Sequence, residues 1–434
     1  MQLSRRNFLK GVTASAVLSS AHVLGVASRA AAATGPDAPV LVLVNLAGGN
    51  DLLNTVVPTD GVQRSLYQAL RPDLALPLPS LATLSIHPDP VLGTGLALHP
   101  SLSGLKPFYD EGRVAVVLGA GLANNSLSHF EAEKAWFFGR PDVLVETTGW
   151  VGRQLDLDFD GRPHAVSFGG LVSPVFETVI ADSLGLRSVD GFDLPDDPLA
   201  EFRDGAARTA ALREILDESR SDEVAERIAR SGRTLLEQTA FLAGIPTRGW
   251  GSALEGESFG PGRDLREIAS LRRHDAQHPE AATGFCFYHV RAPGYDTHSR
   301  QGALDPSATH PRLLSDLSRW LSGFQRDLDA IGASERVVTV VYSEFGRRAA
   351  QNAQGADAGT EHGAGGLMLL LGDRVVGGVH GRLPRLDQLD ATGSLAVTTD
   401  FRTVYTALIE DLLGGDAAVL PYGPFAKLPV IQPA

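Results

Sequence analysis

The sequence predicts an α/β protein built on a mainly parallel sheet with helices on both faces. Continuous apolar runs at residues 40–44, 114–118 and 337–342 have the pattern of strands buried on both sides. Helical stretches alternate with such runs, which implies crossover connections and a parallel sheet. Most of the polar, glycine-containing clusters follow a strand, where open α/β sheets bind ligands.

The N-terminus reads as a leader rather than as part of the fold. Ser4-Arg5-Arg6-Asn7-Phe8-Leu9-Lys10 is a paired-arginine box. A weakly apolar stretch follows at 11–26, then Arg29 and the run Ala30 to Ala33. Charged region, apolar region and small-residue cleavage site, in that order, predict a twin-arginine signal peptide over residues 1–33, cleaved near Ala33. The apolar stretch carries Thr13, Ser15, Ser19, Ser20 and His22, and is too short and polar for a membrane span. The expected product is a single domain over 34–434, exported folded by the twin-arginine translocase to the periplasm or the cell exterior. No later segment reads as a transmembrane helix. Export in the folded state is often used by proteins that must first take up a metal or cofactor.

The chain has 434 residues, 38 basic and 51 acidic, a formal net charge of −13. The leader holds four of the basic residues and no acidic one, so the processed chain has 34 against 51 and a charge of −17. Such acidity argues against a nucleic-acid surface or an anionic-membrane binder. It leaves room for an anionic small substrate, because a bound divalent ion reverses the local field. The one cysteine, Cys286, rules out an internal disulfide and sits in an apolar run, as a buried thiol would.

Further strands are predicted at 165–168, 285–290 and 367–371. A helix is predicted over 311–331, where Leu313, Leu314, Leu317, Trp320, Leu321, Phe324, Leu328 and Ile331 recur every three to four residues. Residues 196–242 also read as helical. Residues 71–95, rich in Pro, Leu and Ser, read as an irregular surface excursion, and 250–262 as a loop or the edge of an inserted lobe.

The chemistry gathers in five places. After the first strand come Gly48-Gly49-Asn50-Asp51, either a turn or a backbone that approaches a ligand with Asp51 as a hard oxygen donor. After the second, Ser128 and Glu131 have capping-box spacing at a helix start, where a hydroxyl also sits in positive potential. His129 beside it is a candidate base or ligand. After the 285–290 strand, Asp296 and His298 in a glycine-led loop can both face one metal, the alternative being a surface turn. Glu344 ends the most apolar strand, where a carboxylate needs a metal or a partner such as Arg347. His362 lies in the segment Gly359-Thr360-Glu361-His362-Gly363, which reads as a loop, where a histidine is poorly placed for core packing. Together Asp51, Asp296, His298, Glu344 and His362 form a mixed set that suits a divalent metal such as zinc or manganese, its carboxylates alone suiting calcium or magnesium.

Gly-Gly-Asn-Asp, Ser-His-Phe-Glu-Ala, Gly-Tyr-Asp-Thr-His, Ser-Glu-Phe-Gly-Arg and Gly-Thr-Glu-His-Gly, in this order behind a twin-arginine leader, resemble the bacterial family known as domain of unknown function 1501. That family is placed among alkaline-phosphatase-like proteins, so the resemblance implies an alkaline-phosphatase-like fold. It further implies that Asp51 and Glu344 bind one metal, that Asp296, His298 and His362 bind another, and that Ser128 or Ser126 is the nucleophile. Phe345 stands where that superfamily has a His or Asn ligand, and the sulfatase Cys/Ser-x-Pro-x-Arg signature is absent.

Two functions follow as expectations. One is a metal-dependent hydrolase of phosphate or sulfate esters, with Ser128 attacking and His129 or Arg347 assisting proton transfer or anion binding. The other is a non-catalytic protein on a degenerate hydrolase scaffold that binds a partner, a glycan or a surface polymer.

Overall fold

The computed structural model describes residues 38–124, 126–140, 147–190, 204–218 and 221–433. The leader expected at 1–33 and the start of the stretch expected to be helical at 196–242 lie outside the described residues.

Among the described residues the strands, in chain order, are β1 Val40–Ala47, β2 Val56–Pro58, β3 Ser85–Ile86, β4 Leu96–Leu98, β5 Val114–Gly121, β6 Ala165–Phe168, β7 Ser183–Leu186, β8 Phe287–Pro293, β9 Val337–Tyr342, β10 Gly346–Gln351, β11 Thr360–Gly363, β12 Gly366–Leu371, β13 Gly378–Gly381 and β14 Thr399–Asp400. Nine make one sheet in the order β13-β5-β12-β9-β1-β8-β6-β7, with β14 also beside β5. β1 pairs in parallel with both β8 and β9. β6 is parallel to β7 and β8, and β12 runs antiparallel between β5 and β9. The fold is therefore mixed α/β with a large, mostly parallel central sheet. All six strands read from the sequence are present, within a few residues at their ends.

The apolar runs are continuous because both faces are covered. On β1, Val40, Val42, Val44 and Leu46 join one core, while Leu41 and Leu43 join the other. β5 and β12 divide their residues the same way. The first core is closed by the Gly260–Gln277 and Thr309–Ala330 helices, the second by His129–Phe138, Trp150–Leu157 and Arg402–Ala407. In Thr309–Ala330 the expected stripe is buried at Leu313, Leu314, Leu317, Leu321, Phe324 and Leu328.

Two expectations change here. The 71–95 excursion is not merely superficial: Arg71, Leu74, Leu76, Leu81, Leu84 and Ile86 are buried, and β3 joins a small sheet with β2 and β4. The Gly359–Gly363 stretch is not a loop. Its residues 360–363 form β11, paired antiparallel with β10.

Burial leaves a pH signature. His289 on β8 and His310 in the Thr309–Ala330 helix are enclosed. Desolvation pushes both pKa values down to about 3, with Arg291 adding to the effect on His289 and Asp51 opposing it on His310. An unfolded chain takes up these protons below about pH 6.5, and the folded chain refuses them until about pH 3. Stability should therefore decline as pH falls from 6.5 toward 3, by about 1.4 kcal/mol per pH unit for each histidine. Urea denaturation at pH 7 and pH 5 tests this. His289→Gln should shed its share of the decline, and an unchanged slope would refute the assignment.

Candidate metal centre

Several chain segments converge beyond the carboxyl ends of β1, β8 and β9. β1 runs into Gly48-Gly49, β8 into the 294–298 segment, and β9 into Ser343-Glu344. The β10–β11 hairpin sets Arg347 opposite His362 in register. The helix His129–Phe138 contributes its first residue. Glycine is required where these segments touch. Gly48 has φ +126, and a Cβ there would fall 2.2 Å from the Asp296 nitrogen; at Gly49 (φ +85) one would strike the Phe345 ring at 2.5 Å. The glycines therefore admit protein neighbours, the Asp296 segment and Phe345, and not a ligand.

Three imidazoles surround the Asp296 carboxylate. His298 Nε2 and His362 Nε2 each lie 3.0 Å from Asp296 Oδ1, and 2.9 Å from each other. His129 Nε2 lies 3.5 Å from Asp296 Oδ2. The far nitrogen of every ring faces an acceptor. His362 Nδ1 donates to the Leu127 carbonyl at 2.9 Å, His298 Nδ1 to Glu361 Oε2 at 3.1 Å, and His129 Nδ1 to Glu344 Oε1 at 2.7 Å. A carbonyl oxygen can only accept, so the Nδ1 of His362 carries the hydrogen, and the two carboxylates favour the same tautomer on the other rings. Each Nε2 then presents a lone pair toward Asp296. One added proton would relieve a single contact among these atoms, whereas a divalent cation answers all of them. Ligand atoms of His129, Asp296 and His362 lie within 4.8 Å of one another. Histidine ligands held from behind by carboxylates or carbonyls are the usual support of a metal site.

Asp296 is an acceptor in this frame. Burial raises its pKa, but the hydrogen bond and charge of Arg347 prevail, with His362 and His298 adding to the effect only when protonated, and hold it at about 2. Its side chain keeps 44% exposure, so the cluster opens to solvent.

The structure thus brings together Asp296, His298 and His362, and adds His129, which the sequence offered as a base or ligand. It places the other candidates differently. Asp51 is fully buried: its Oδ1 accepts from Leu53 N at 3.1 Å, and its Oδ2 takes Arg71 Nη1 at 2.6 Å and Gln301 Nε2. Burial raises its pKa, yet Arg71 prevails and holds it below the usual carboxylate range. Glu344 lies behind His129, its Oε1 also accepting from Gly48 N at 2.8 Å and its Oε2 from Ser343 Oγ at 3.2 Å. Arg347, expected to meet an anion, has a side chain with 0% exposure. It donates to the carbonyls of Gly48, Gly49, Tyr295 and Thr360 and to Asp296 Oδ1. It has no face left for a substrate and acts as a positioning residue. Ser128 occupies the N-cap of its helix without a side-chain capping bond, and Glu131 pairs with Lys134, so neither half of the capping box is closed. Its hydroxyl is exposed one residue before His129. Ser126 Oγ accepts from Ser128 N at 3.1 Å.

The sequence reading missed three contributors. Glu361 was quoted in its motif but given no role. Arg71 and Gln301 carried no local signal, since their partner Asp51 is far away in the chain. Phe345, noted as a departure, is buried with its ring 5.0 Å from that of His129 and 4.6 Å from that of His362.

Among solved structures the chain is similar to the lipoteichoic acid synthase LtaP from Listeria monocytogenes, at 9% identity over 89% of this chain and 74% of that one, with a TM-score of 0.35. The C-terminal periplasmic domain of EcEptC from Escherichia coli, in complex with Zn, is similar at 9% identity over 77% and 73%, with a TM-score of 0.32. So is the PsFucS1 sulfatase from Pseudoalteromonas sp., at 10% identity over 88% and 69%, with a TM-score of 0.34. No curated protein matches the chain. Residues 278–412, which carry Asp296, His298, Glu344, Arg347 and His362, match the family described as Protein of unknown function (DUF1501), as the motifs implied.

Proposed function

We propose that the protein is an exported, metal-dependent hydrolase of phosphate or sulfate esters. The observation that carries this reading is the convergence of three Nε2 lone pairs on the Asp296 carboxylate, each ring held through Nδ1 by an acceptor. His129, His298, His362 and Asp296 would hold the ion. Three nitrogen donors suit zinc or manganese, and they disfavour calcium, which takes oxygen ligands. When bound, the metal neutralises charge that develops on an anionic ester.

The chain's own groups supply the rest. Glu344, Glu361 and the Leu127 carbonyl fix the ring orientations. Arg347 holds Asp296 from below. The exposed Ser128 hydroxyl, at the positive end of the His129–Phe138 helix, is the nucleophile this arrangement favours. The substrate class is a small anionic ester or an ester-bearing surface polymer. Export would follow the twin-arginine route to the periplasm or cell exterior. Among the described residues no helix is long and apolar enough to cross a membrane.

A second reading is favoured by Phe345, whose buried ring lies where the superfamily places a ligand. On that reading the scaffold binds a partner, glycan or surface polymer without turnover.

Metal content separates the two. The chain starting at Thr34, purified without chelator, should carry stoichiometric metal and hydrolyse members of a phosphate and sulfate ester panel. The double variant Asp296→Asn/His362→Ala should lose the metal and the turnover while keeping its fold. A metal-free wild type, with melting unchanged in the variant, would favour the binding scaffold.

A further inference from the structure

Two fully buried guanidinium groups engage the carboxylates of Asp51 and Asp296. Arg71, with 0% side-chain exposure, places Nη1 2.6 Å from Asp51 Oδ2 and 2.8 Å from Asn54 Oδ1. Its Nε and Nη2 donate to the carbonyls of Ala349 and Arg348, both at 2.8 Å. Arg347 is equally enclosed and places Nη2 2.6 Å from Asp296 Oδ1. The two carboxylates that the resemblance assigns to a separate metal are thus already engaged. Asp51 accepts from Arg71, Gln301 and the Leu53 nitrogen. Glu344 accepts from Gly48, His129 and Ser343. Phe345 packs its ring against His129 and His362.

We infer that the centre takes one divalent cation and no second, with the buried guanidinium groups of Arg71 and Arg347 supplying fixed positive charge where another metal would otherwise be needed. The inference rests on the metal-dependent reading above and adds the stoichiometry. Charge agrees with it. Among the described residues, Asp296, Glu344 and Glu361 are the carboxylates bonded to the ligand side chains, and Arg347 is the one guanidinium so bonded. Three negative charges against one positive leave two, which one divalent ion cancels when the imidazoles are neutral, as ligation requires. Asp51 and Arg71 cancel each other. Arg348 donates to the His362 backbone carbonyl and faces Glu361, so it offsets part of that carboxylate and makes the net negative charge smaller still. A second dication would have to enter a site already balanced and would find no carboxylate free of hydrogen bonds.

The test is the number of ions bound. The chain from Thr34 is stripped of metal, dialysed and titrated with Zn²⁺ by calorimetry. The expected result is one tight equivalent, both in the wild type and in Asp51→Asn. A second tight equivalent in the wild type would overturn this inference and leave the metal-dependent reading intact. No tight binding in the wild type would overturn both. Should Asp51→Asn fail to fold, the wild type still decides, with Mn²⁺ as an independent probe. A lone bound Mn²⁺ gives a resolved six-line electron paramagnetic resonance spectrum at every loading, whereas an exchange-coupled pair growing in beyond one equivalent would contradict the inference.

Discussion

Arg347→Met is expected to lower folding stability by about 3–5 kcal/mol, the range found when one partner of a buried ionic network is removed. The guanidinium donates to four backbone carbonyls from three separate segments, and to Asp296. Methionine fills much of the volume but donates nothing, so buried oxygens lose their partner and keep the cost of desolvation. Lysine should not rescue the loss. An ammonium has three donors on a single atom, whereas the contacts here are spread over a planar fork. Guanidinium chloride denaturation of wild type, Arg347→Met and Arg347→Lys would measure it. A loss below about 1 kcal/mol in the methionine variant would show that these contacts do not anchor the site.

Arg71→Met should be comparably damaging, again by about 3–5 kcal/mol, because it strands the Asp51 carboxylate in the interior without its cation. Here a second change should help. Asp51→Asn in the same chain removes the stranded charge and keeps a carbonyl oxygen for Leu53 N, at the smaller cost of setting an amide NH2 against Gln301 Nε2. The double variant should therefore be more stable than Arg71→Met alone. A double-mutant cycle read by denaturation gives the coupling directly. Strictly additive effects would mean that the two residues do not act as a pair.

The large sheet was legible because its physics is local. β1, β5, β9 and β12 are buried on both faces, and such strands must be apolar at every position, a pattern visible without any partner. The Thr309–Ala330 helix showed itself by the spacing of Leu313, Leu317, Leu321, Phe324 and Leu328. The His–Asp cluster was legible in part for a related reason. Asp296, His298 and His362 are polar residues set beside glycines near strand ends, where packing gives them no other purpose.

Pairing across the chain was not legible. Asp51 looked like a ligand because nothing near it in sequence could answer its charge, and Arg71 lay in a segment that read as surface. The same blindness made Glu344 a ligand and Arg347 an anion-binding group. Each is satisfied by partners that only the assembled fold supplies, Gly48, Gly49, Tyr295 and His129 among them. The glycines at 48 and 49 correctly signalled a close approach, but what approaches is the chain's own Asp296 segment and the Phe345 ring.

The wide spacing of His129, Asp296, His298 and His362 along the chain bears on where the ion would be acquired. No short stretch carries the whole set, so the binding site comes into being only once β1, β8, β9 and the β10–β11 hairpin have docked. Under the proposed export, in which the chain leaves the cell already folded, that moment precedes secretion. The identity of the ion would then be chosen by the buffered metal pool of the cytoplasm and carried outward with the protein, rather than by whichever ion is abundant outside.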